Sequence, residues 1–300
     1  MYVITGATGN VGSVIARTLL AKGQKVRTIA RNVDRLQALA ADGAEPFACE
    51  LTDAAALAKA FAGASGVYVM IPPNLQTQDY RAWQDRVSDA TATAIERAGV
   101  ANAVSLSSVG ADKPEGTGPV VGLYRLEQKL NRISGFNVLH LRAGYFMENT
   151  LAQIGVIRTM GIMAGPLRPN LGIAMIVTRD IGDAAAAALL KLDFSGRQAR
   201  ELLGQRDLSM TEAAAIIGNA IGKPELTYAM APDEQLRPAL MQAGLSENMV
   251  NLLLEMSAAM NSGHMRPLEP RSPQNTTPTS YETFVAEEFV PRYRGAAGTA

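Results

Sequence analysis

Short apolar segments alternate with amphipathic segments along the first half of the chain. The apolar segments are typical of strands, and they lie at residues 2–5, 25–30, 45–49, 66–71, 103–107 and 137–142. Between the first two, Val11 to Lys22 carries apolar residues on one helical face, and helical patterns also fill the later intervals. This alternation predicts repeated βαβ units and an α/β fold built on a parallel sheet.

The pattern becomes less regular after about residue 149. Few polar residues and several Gly and Pro at 157–169 predict a loop or hairpin beside the active cleft. Amphipathic helices are expected at 211–221, 233–243 and 246–260, and a last short helix is expected at 281–289. The Pro-rich segment 262–280 is expected to be an exposed loop, and the Gly/Ala-rich tail is expected to be mobile.

The two halves of the chain are expected to interleave. We expect one unit over residues 1–150 and a smaller part over 151–300. A helix at 181–190 is expected to return to the first unit, so that 175–205 belongs with it.

Composition restricts the classes of partner. The 300 residues carry 28 basic and 28 acidic side chains, so charge gives no argument for a nucleic acid or an anionic membrane as partner. No apolar run is long enough to span a membrane, and no leader is expected before the first strand. The single cysteine, Cys49, excludes an internal disulfide and fits the cytoplasm. Beside it only His140 and His264 are soft ligands, so no metal site is expected.

The strongest motif leaves the first strand and enters the first helix, and it reads Thr5-Gly6-Ala7-Thr8-Gly9-Asn10-Val11-Gly12. Gly6 permits a tight turn, Gly9 lets backbone approach a pyrophosphate, and Gly12 allows the helix to pack on the strand. Free N–H groups at the start of the helix bind phosphate oxygens, aided by the helix dipole. The spacing is G-x-x-G-x-x-G rather than G-x-G-x-x-G, but the strand-to-helix context predicts a dinucleotide site.

The end of the second strand distinguishes between the two nicotinamide cofactors. Proteins that bind NAD place an Asp or Glu there, which binds the ribose 2′-hydroxyl. Here the strand ends in Ala30-Arg31-Asn32, and the Arg31 guanidinium suits a 2′-phosphate, with Arg35 close enough to assist. The sequence therefore favours NADP(H).

Taken together, these segments resemble the NmrA-like family of atypical short-chain dehydrogenase/reductases. Further segments agree with that family, namely Glu50-Leu51-Thr52-Asp53, Ser107 to Ala111, Leu141 to Asn149 and Thr276 to Thr279. Two positions depart from its pattern, since Asp is usual where this chain has Glu50 and Pro is frequent where it has Ala143. The resemblance extends over almost the whole chain.

The resemblance implies a Rossmann-like, doubly wound parallel sheet with a smaller, mostly helical C-terminal substrate domain and a cleft between them. Members similar to this chain reduce quinones, azo compounds or triphenylmethane dyes with NADPH, so a small, flat or aromatic acceptor is implied. The implied cofactor contacts are Gly6, Thr8, Gly9, Asn10, Val11 and Gly12 around the pyrophosphate, Arg31 and Asn32 at the 2′-phosphate, Glu50 and Leu51 beside adenine, Ile71 and Pro72 at the ribose, and Ser107, Tyr145 and Phe146 near the nicotinamide.

The usual Tyr-x-x-x-Lys pair of short-chain reductases is absent. That pair lies one helical turn apart, with Tyr as proton donor and Lys lowering its pKa. Four residues after Tyr124 stands Gln128, and Lys129 follows, rotated by ~100° around the helix. Tyr124, Lys129 and Tyr145 remain candidate proton donors or positioning groups. The apolar walls of the cleft are expected from Met147, Ile154, Met160, Ile162 and Met163.

Three functions fit these observations. The first is an NADPH-dependent oxidoreductase that acts on a small molecule and is a possible homodimer through its apolar C-terminal helices. The second is a non-catalytic NADP(H)-binding redox sensor that acts through a protein partner. The absence of the Tyr-x-x-x-Lys pair fits this second function. The third is a redox-neutral enzyme on the same scaffold, such as an epimerase or lyase.

Overall fold

Strands and helices alternate from Tyr2 to Ala143, as the apolar pattern predicts. We describe residues 1–295 in a computed structural model. In chain order the elements of the first half are β1 (Tyr2–Ile4), α1 (Asn10–Ala21), β2 (Val26–Ala30), α2 (Gln37–Ala41), β3 (Glu45–Ala48), α3 (Ala54–Phe61), β4 (Gly66–Val69), α4 (Tyr80–Ala98), β5 (Asn102–Ser108), α5 (Val120–Leu130) and β6 (Asn137–Ala143). A short 3-10 helix at Val33–Leu36 precedes α2.

The second half adds shorter strands between helices. In order these are β7 (Tyr145–Phe146), α6 (Gln153–Met160), β8 (Met163–Gly165), β9 (Ile173–Ile176), α7 (Thr178–Lys191), β10 (Arg197–Leu202), β11 (Asp207–Leu208), α8 (Met210–Ile221), β12 (Tyr228–Met230), α9 (Asp233–Gln242), α10 (Glu247–Ser262), α11 (Tyr281–Phe284) and α12 (Val290–Gly295). A 3-10 helix at Met147–Ala152 follows β7, and a π-helical segment joins α11 to α12.

The main sheet has seven parallel strands in the order β10-β6-β5-β4-β1-β2-β3. Val3 and Ile4 point to opposite faces of β1, and each lies in a separate apolar core. Helices α1 and α7 cover the core that contains Ile4, while α3, α4 and α5 cover the core that contains Val3. This is the Rossmann-like, doubly wound architecture that the family resemblance implies. The strand order reverses between β1 and β4, and ligands of such sheets bind at that reversal.

Helix α7 and strand β10 join the main sheet, although they follow the small strands in sequence. Gly182 of α7 packs so closely on α1 that a Cβ atom at residue 182 would stand 2.7 Å from the Val14 Cβ. Strand β10 pairs in parallel with β6 along its whole length. The sequence pattern does not predict β10, because it is an edge strand whose residues from Arg197 to Arg200 are exposed.

The expected loop or hairpin at 157–169 is wrong. Helix α6 continues to Met160, Gly161 ends it at φ +71°, and β8 follows. Strand β8 pairs in parallel with the distant β12, with Met163 opposite Tyr228. A parallel partner so far along the chain leaves no local signal, and for this reason the segment could not be predicted as a strand.

The Pro-rich segment 262–280 is irregular, as expected, but it is not uniformly exposed. The backbone N–H groups of Leu268 and Glu269 donate to the buried Glu201 carboxylate of β10 at 2.9–3.1 Å. Farther along, the Thr279 backbone N–H and hydroxyl donate to the buried Asp180 carboxylate of α7 at 3.0 and 2.6 Å. These bonds fasten the segment to the main unit. The expectation for the tail concerns residues 296–300, which lie outside the described residues.

Within residues 1–295, none of the helices is both long enough and apolar enough to cross a membrane. The same range holds no group of three or more His, Cys, Asp or Glu side chains that could bind a metal ion.

Candidate functional site

The turn between β1 and α1 has the backbone that the glycine motif predicts. Gly6 adopts a left-handed conformation at φ +61°, and the Gly9 N–H donates to the Gly6 carbonyl oxygen at 2.9 Å. A Cβ atom at residue 12 would stand 2.4 Å from that same oxygen, and one at residue 9 would stand 3.3 Å from it. The turn therefore depends on small residues at all three positions.

Helix α1 begins with its backbone donors free. Gly9 is the N-cap and supplies no side-chain cap, and no acidic residue lies in the first turn. The N–H groups of Asn10, Val11 and Gly12 have no hydrogen-bond partner among residues 1–295. The helix dipole adds positive potential at this end. Together, the free donors and the small glycine cradle fit the pyrophosphate of a dinucleotide.

The Arg31 side chain is exposed directly after β2, and it forms no ion pair with any described residue. The same holds for Arg35 in the following 3-10 helix. Asn32 is only partly available, because its Oδ1 accepts the Asp34 backbone N–H at 2.9 Å and caps that helix. Two guanidinium groups and the Asn32 amide N–H2 thus remain as donors for an anion near the end of β2.

The predicted adenine and ribose contacts lie at the ends of β3 and β4. Glu50 is exposed, and Leu51 packs at the edge of the apolar core under α3. Ile71 is buried and lines the cavity described next. Pro72 does not line it, but its carbonyl oxygen accepts the Trp83 indole N–H at 3.0 Å, which fixes this stretch of backbone.

A cavity of about 660 Å³ lies at the carboxyl ends of β4, β5 and β6. Its wall is mainly apolar and combines residues that follow these strands with residues of α10 and the segment 263–267, among them Met70, Ile71, Leu106, Leu123, Phe146, Ile173, Met249, Met256, Met260 and Met265. Met70 lies between the cavity and the glycine turn, since a Cβ atom on Gly6 would stand 2.9 Å from the Met70 Sδ. The cavity therefore adjoins the glycine turn.

The methionines expected in this wall are not the ones that form it. Met147 and Met163 are buried in the core of the smaller part, and Met160 is 65% exposed. Neither Ile154 nor Ile162 lines the cavity. Helix α10 supplies the wall instead, because it packs on the loop after β5, where a Cβ atom on Gly118 would stand 2.0 Å from the Leu252 carbonyl oxygen.

Tyr145, Phe146 and Ser107 all line the cavity, so the structure brings these three predicted residues together. Burial raises the pKa of the Tyr145 hydroxyl to about 12, the nearby Tyr228 contributes in the same direction, and a hydrogen bond with Asn149 opposes the rise. The hydroxyl is therefore protonated at neutral pH, and burial makes it a weaker acid than a free tyrosine.

Tyr124 and Lys129 lie away from the cavity. Tyr124 is half-buried on α5 and is absent from the lining residues. The Lys129 ammonium lies 2.6 Å from Asp89 and 3.4 Å from Asp85, both on α4. These ion pairs hold Lys129 between two helices, so the structure does not support either residue as a proton donor.

A buried ion pair beside Ser107 was not foreseen. Glu127 of α5 accepts hydrogen bonds from both Ser107 and Arg142. Glu127 lies four residues after Leu123 and three before Leu130, so it belongs to the apolar face of the helix. A charged residue on that face could have indicated a buried ion pair from the sequence alone.

Comparison with known proteins gives one family. The family model described as the NmrA-like family matches residues 2–290. An NAD(P)H azoreductase of Xenophilus azovorans is 28% identical over 302 aligned positions, which cover all of both chains. A (4-alkanoyl-5-oxo-2,5-dihydrofuran-3-yl)methyl phosphate reductase of Streptomyces griseus is 30% identical over 241 positions, 80% of each chain. The structure of an Escherichia coli NADPH-dependent quinone oxidoreductase complexed with NADPH superposes with a TM-score of 0.76 at 24% identity, covering 96% of this chain and 100% of the other.

Proposed function

Since the chain belongs to the NmrA-like family, we propose that it is an NADPH-dependent oxidoreductase that transfers hydride to a small, flat or aromatic acceptor of the quinone, azo, dye or carbonyl type. The observation that carries this proposal is the contact of Met70 with both the glycine turn and the apolar cavity. A dinucleotide on the turn would thereby extend its nicotinamide toward a cavity large enough for an aromatic acceptor.

The preference for NADPH rests on the end of β2. Arg31 and Arg35 offer guanidinium groups there, and the strand ends without the carboxylate that would bind a ribose 2′-hydroxyl. When bound, NADPH supplies the hydride. The residues of this chain would hold its pyrophosphate on the free N–H groups of α1 and its 2′-phosphate on Arg31.

The acceptor class rests on the cavity wall. Methionine side chains are flexible and polarizable, so a wall built from Met249, Met256 and Met260 adapts to flat ligands of different outline. The related proteins are named for azo and quinone acceptors, which supports the same class here. Tyr145 would donate the proton that the reduced acceptor requires.

The test combines binding with turnover on the purified full chain. Calorimetric titration with NADPH and NADH gives both dissociation constants, and the same sample is then assayed for NADPH oxidation with quinones, azo dyes and triphenylmethane dyes. We expect tighter binding of NADPH and turnover of at least one acceptor class. Tight NADPH binding without turnover of any acceptor would contradict the reductase and favour an NADP(H)-binding sensor.

A further inference from the structure

The Ser107 hydroxyl at the end of β5 belongs to a buried hydrogen-bond network. Its Oγ lies 2.6 Å from Glu127 Oε1. The Arg142 Nε and Nη2 donate to the two oxygens of the same carboxylate at 3.0 and 2.6 Å. Glu127 is 2% exposed and Ser107 is 3% exposed, and Ser107 is one of the residues that line the cavity.

The partners determine the direction of the serine hydrogen bond. A guanidinium group only donates, and a carboxylate bound by a guanidinium on both oxygens only accepts. Ser107 must therefore donate its proton to Glu127. A ligand that reaches this hydroxyl from the cavity then meets lone pairs and no proton.

Gln84 lies in the same part of the cavity wall, but its carbonyl oxygen does not face the cavity. Its amide N–H2 donates to the Pro119 carbonyl oxygen at 2.8 Å, and because that carbonyl only accepts, the orientation of the amide is fixed. The opposite atom, Gln84 Oε1, is buried and has no partner among the described residues. Gln84 Oε1 is closed off against Gly122 of α5, so of these two side chains Ser107 is the one with lone pairs for a ligand in the cavity.

We propose that Ser107 is a specificity-determining residue that accepts a hydrogen bond from an N–H or O–H group of the molecule bound in the cavity. Glu127 and Arg142 are positioning residues, since they hold the serine proton away from the cavity. The inference rests on the proposed function, because the donor is either the carboxamide N–H2 of the nicotinamide or a hydroxyl group of the aromatic acceptor or product.

Two ligand pairs distinguish these sources by equilibrium binding to the full chain. NADP⁺ is compared with its acetylpyridine analogue, in which a methyl ketone replaces the carboxamide and removes the N–H2 donor. In the presence of NADP⁺, β-naphthol is compared with its methyl ether, which lacks the O–H donor. We expect the wild-type protein to bind the donor-bearing member of one pair roughly three- to tenfold more tightly, the effect of one hydrogen bond.

Two variants assign that preference to Ser107. Ser107→Ala removes the acceptor and should reduce the preference to less than about twofold. Glu127→Gln offers an amide N–H2 to Ser107, which frees the serine proton to face the cavity and should reduce or invert the preference. Ser105→Ala is the matched control, since Ser105 is a buried serine of the same strand, bonded to His140 and outside the cavity lining, and it should keep the wild-type preference.

A preference in the NADP⁺ pair identifies the nicotinamide carboxamide as the hydrogen-bond donor. A preference in the naphthol pair identifies the hydroxyl group of the aromatic substrate or product as the donor instead. Equal preferences in wild type and Ser107→Ala, or no preference in either pair, would overturn the proposal. If Ser107→Ala fails to fold, an unchanged preference in Glu127→Gln would overturn it instead. Because these are binding measurements, they decide the role of Ser107 even if no acceptor is turned over, which would count against the proposed function alone.

Discussion

Gly12 packs so closely against Gly6 that a Cβ atom at residue 12 would stand 2.4 Å from the Gly6 carbonyl oxygen. The obstructing atom is backbone, so a side chain at residue 12 requires the whole turn to move. We expect Gly12→Ala to lower the affinity for NADPH at least about tenfold, because the free N–H groups of α1 would no longer face the pyrophosphate together. Calorimetric titration measures the loss.

Gly155 provides the matched control for this substitution. It is an exposed helical glycine of α6, and nothing lies within 4 Å of a Cβ atom built on it. Gly155→Ala should keep the NADPH affinity and stabilise the helix by up to about 1 kcal/mol. Equal NADPH affinity in both variants would show that the turn does not bind the cofactor.

Arg31→Ala should weaken NADPH binding by roughly ten- to a hundredfold and leave NADH binding nearly unchanged, because only NADPH carries the 2′-phosphate. Arg200→Ala serves as control, since Arg200 is an exposed arginine on β10, at the opposite edge of the sheet from β3. Parallel titrations with both cofactors check the result. Similar losses for NADPH and NADH would mean that Arg31 does not distinguish them.

Met265→Trp should place a bulky side chain in the cavity, because Met265 lines it from the segment after α10. We expect KM for quinone acceptors to rise at least about fivefold while the dissociation constant of NADPH stays within about twofold. Met241→Trp, on an exposed position of α9, should change neither quantity. A loss of NADPH affinity in Met265→Trp, with KM for the acceptor unchanged, would indicate that the acceptor binds outside this cavity.

Much of the main unit was predictable because its signals are local. Strands β1 to β6, the intervening helices and the glycine turn each follow from residues adjacent in sequence. Strand β10 and the β8–β12 pair were not predictable, since an exposed edge strand and a short parallel pair have no apolar alternation of their own.

The candidate site divides in the same way. The glycine turn is local, whereas part of the cavity wall comes from α10, which is distant in sequence and packs on the loop after β5. The direction of the Ser107 hydrogen bond also depends on residues of three separate elements, β5, α5 and β6, that only the fold brings together.

His140 makes stability depend on pH. Burial lowers the pKa of its imidazole from 6.5 to about 4, a shift that Glu127 opposes and Arg142 reinforces. Between pH 6.5 and 4 the unfolded chain therefore binds a proton that the folded chain does not. The folded state is stabilised by this difference above pH 6.5, and the stabilisation is lost as the pH falls. We expect the free energy of unfolding in urea to fall by about 2 kcal/mol from this residue between pH 8 and 5.

Two histidine variants isolate that contribution. His140→Gln should show a smaller decrease with falling pH, whatever its stability at pH 8. His264→Gln should behave like the wild type, because His264 is exposed in the Pro-rich segment. The same decrease in wild type and His140→Gln would mean that other groups cause it.

Tyr145→Phe should separate proton donation from cofactor binding. Removal of the hydroxyl leaves the ring in the cavity wall, so NADPH affinity should stay within about twofold, while kcat should fall roughly ten- to a hundredfold for an acceptor that needs a proton. Since the pKa of the Tyr145 hydroxyl is about 12, the wild-type kcat should not decline through loss of this proton between pH 7 and 9.

Lys129→Met and Tyr124→Phe test the competing assignment. Lys129 is held by Asp85 and Asp89, and Tyr124 does not line the cavity, so both variants should keep the wild-type kcat. The loss of the Lys129 ion pairs should cost no more than about 1 kcal/mol, because the pairs are partly exposed. If kcat falls in either of these variants while Tyr145→Phe stays fully active, the assignment of Tyr145 as proton donor is wrong. Helix α5 would then have to approach the acceptor, a movement that its ion pairs with α4 oppose. Stopped-flow measurement of NADPH oxidation, with the enzyme saturated in cofactor, distinguishes the two assignments, because only the true proton donor changes the rate of the chemical step.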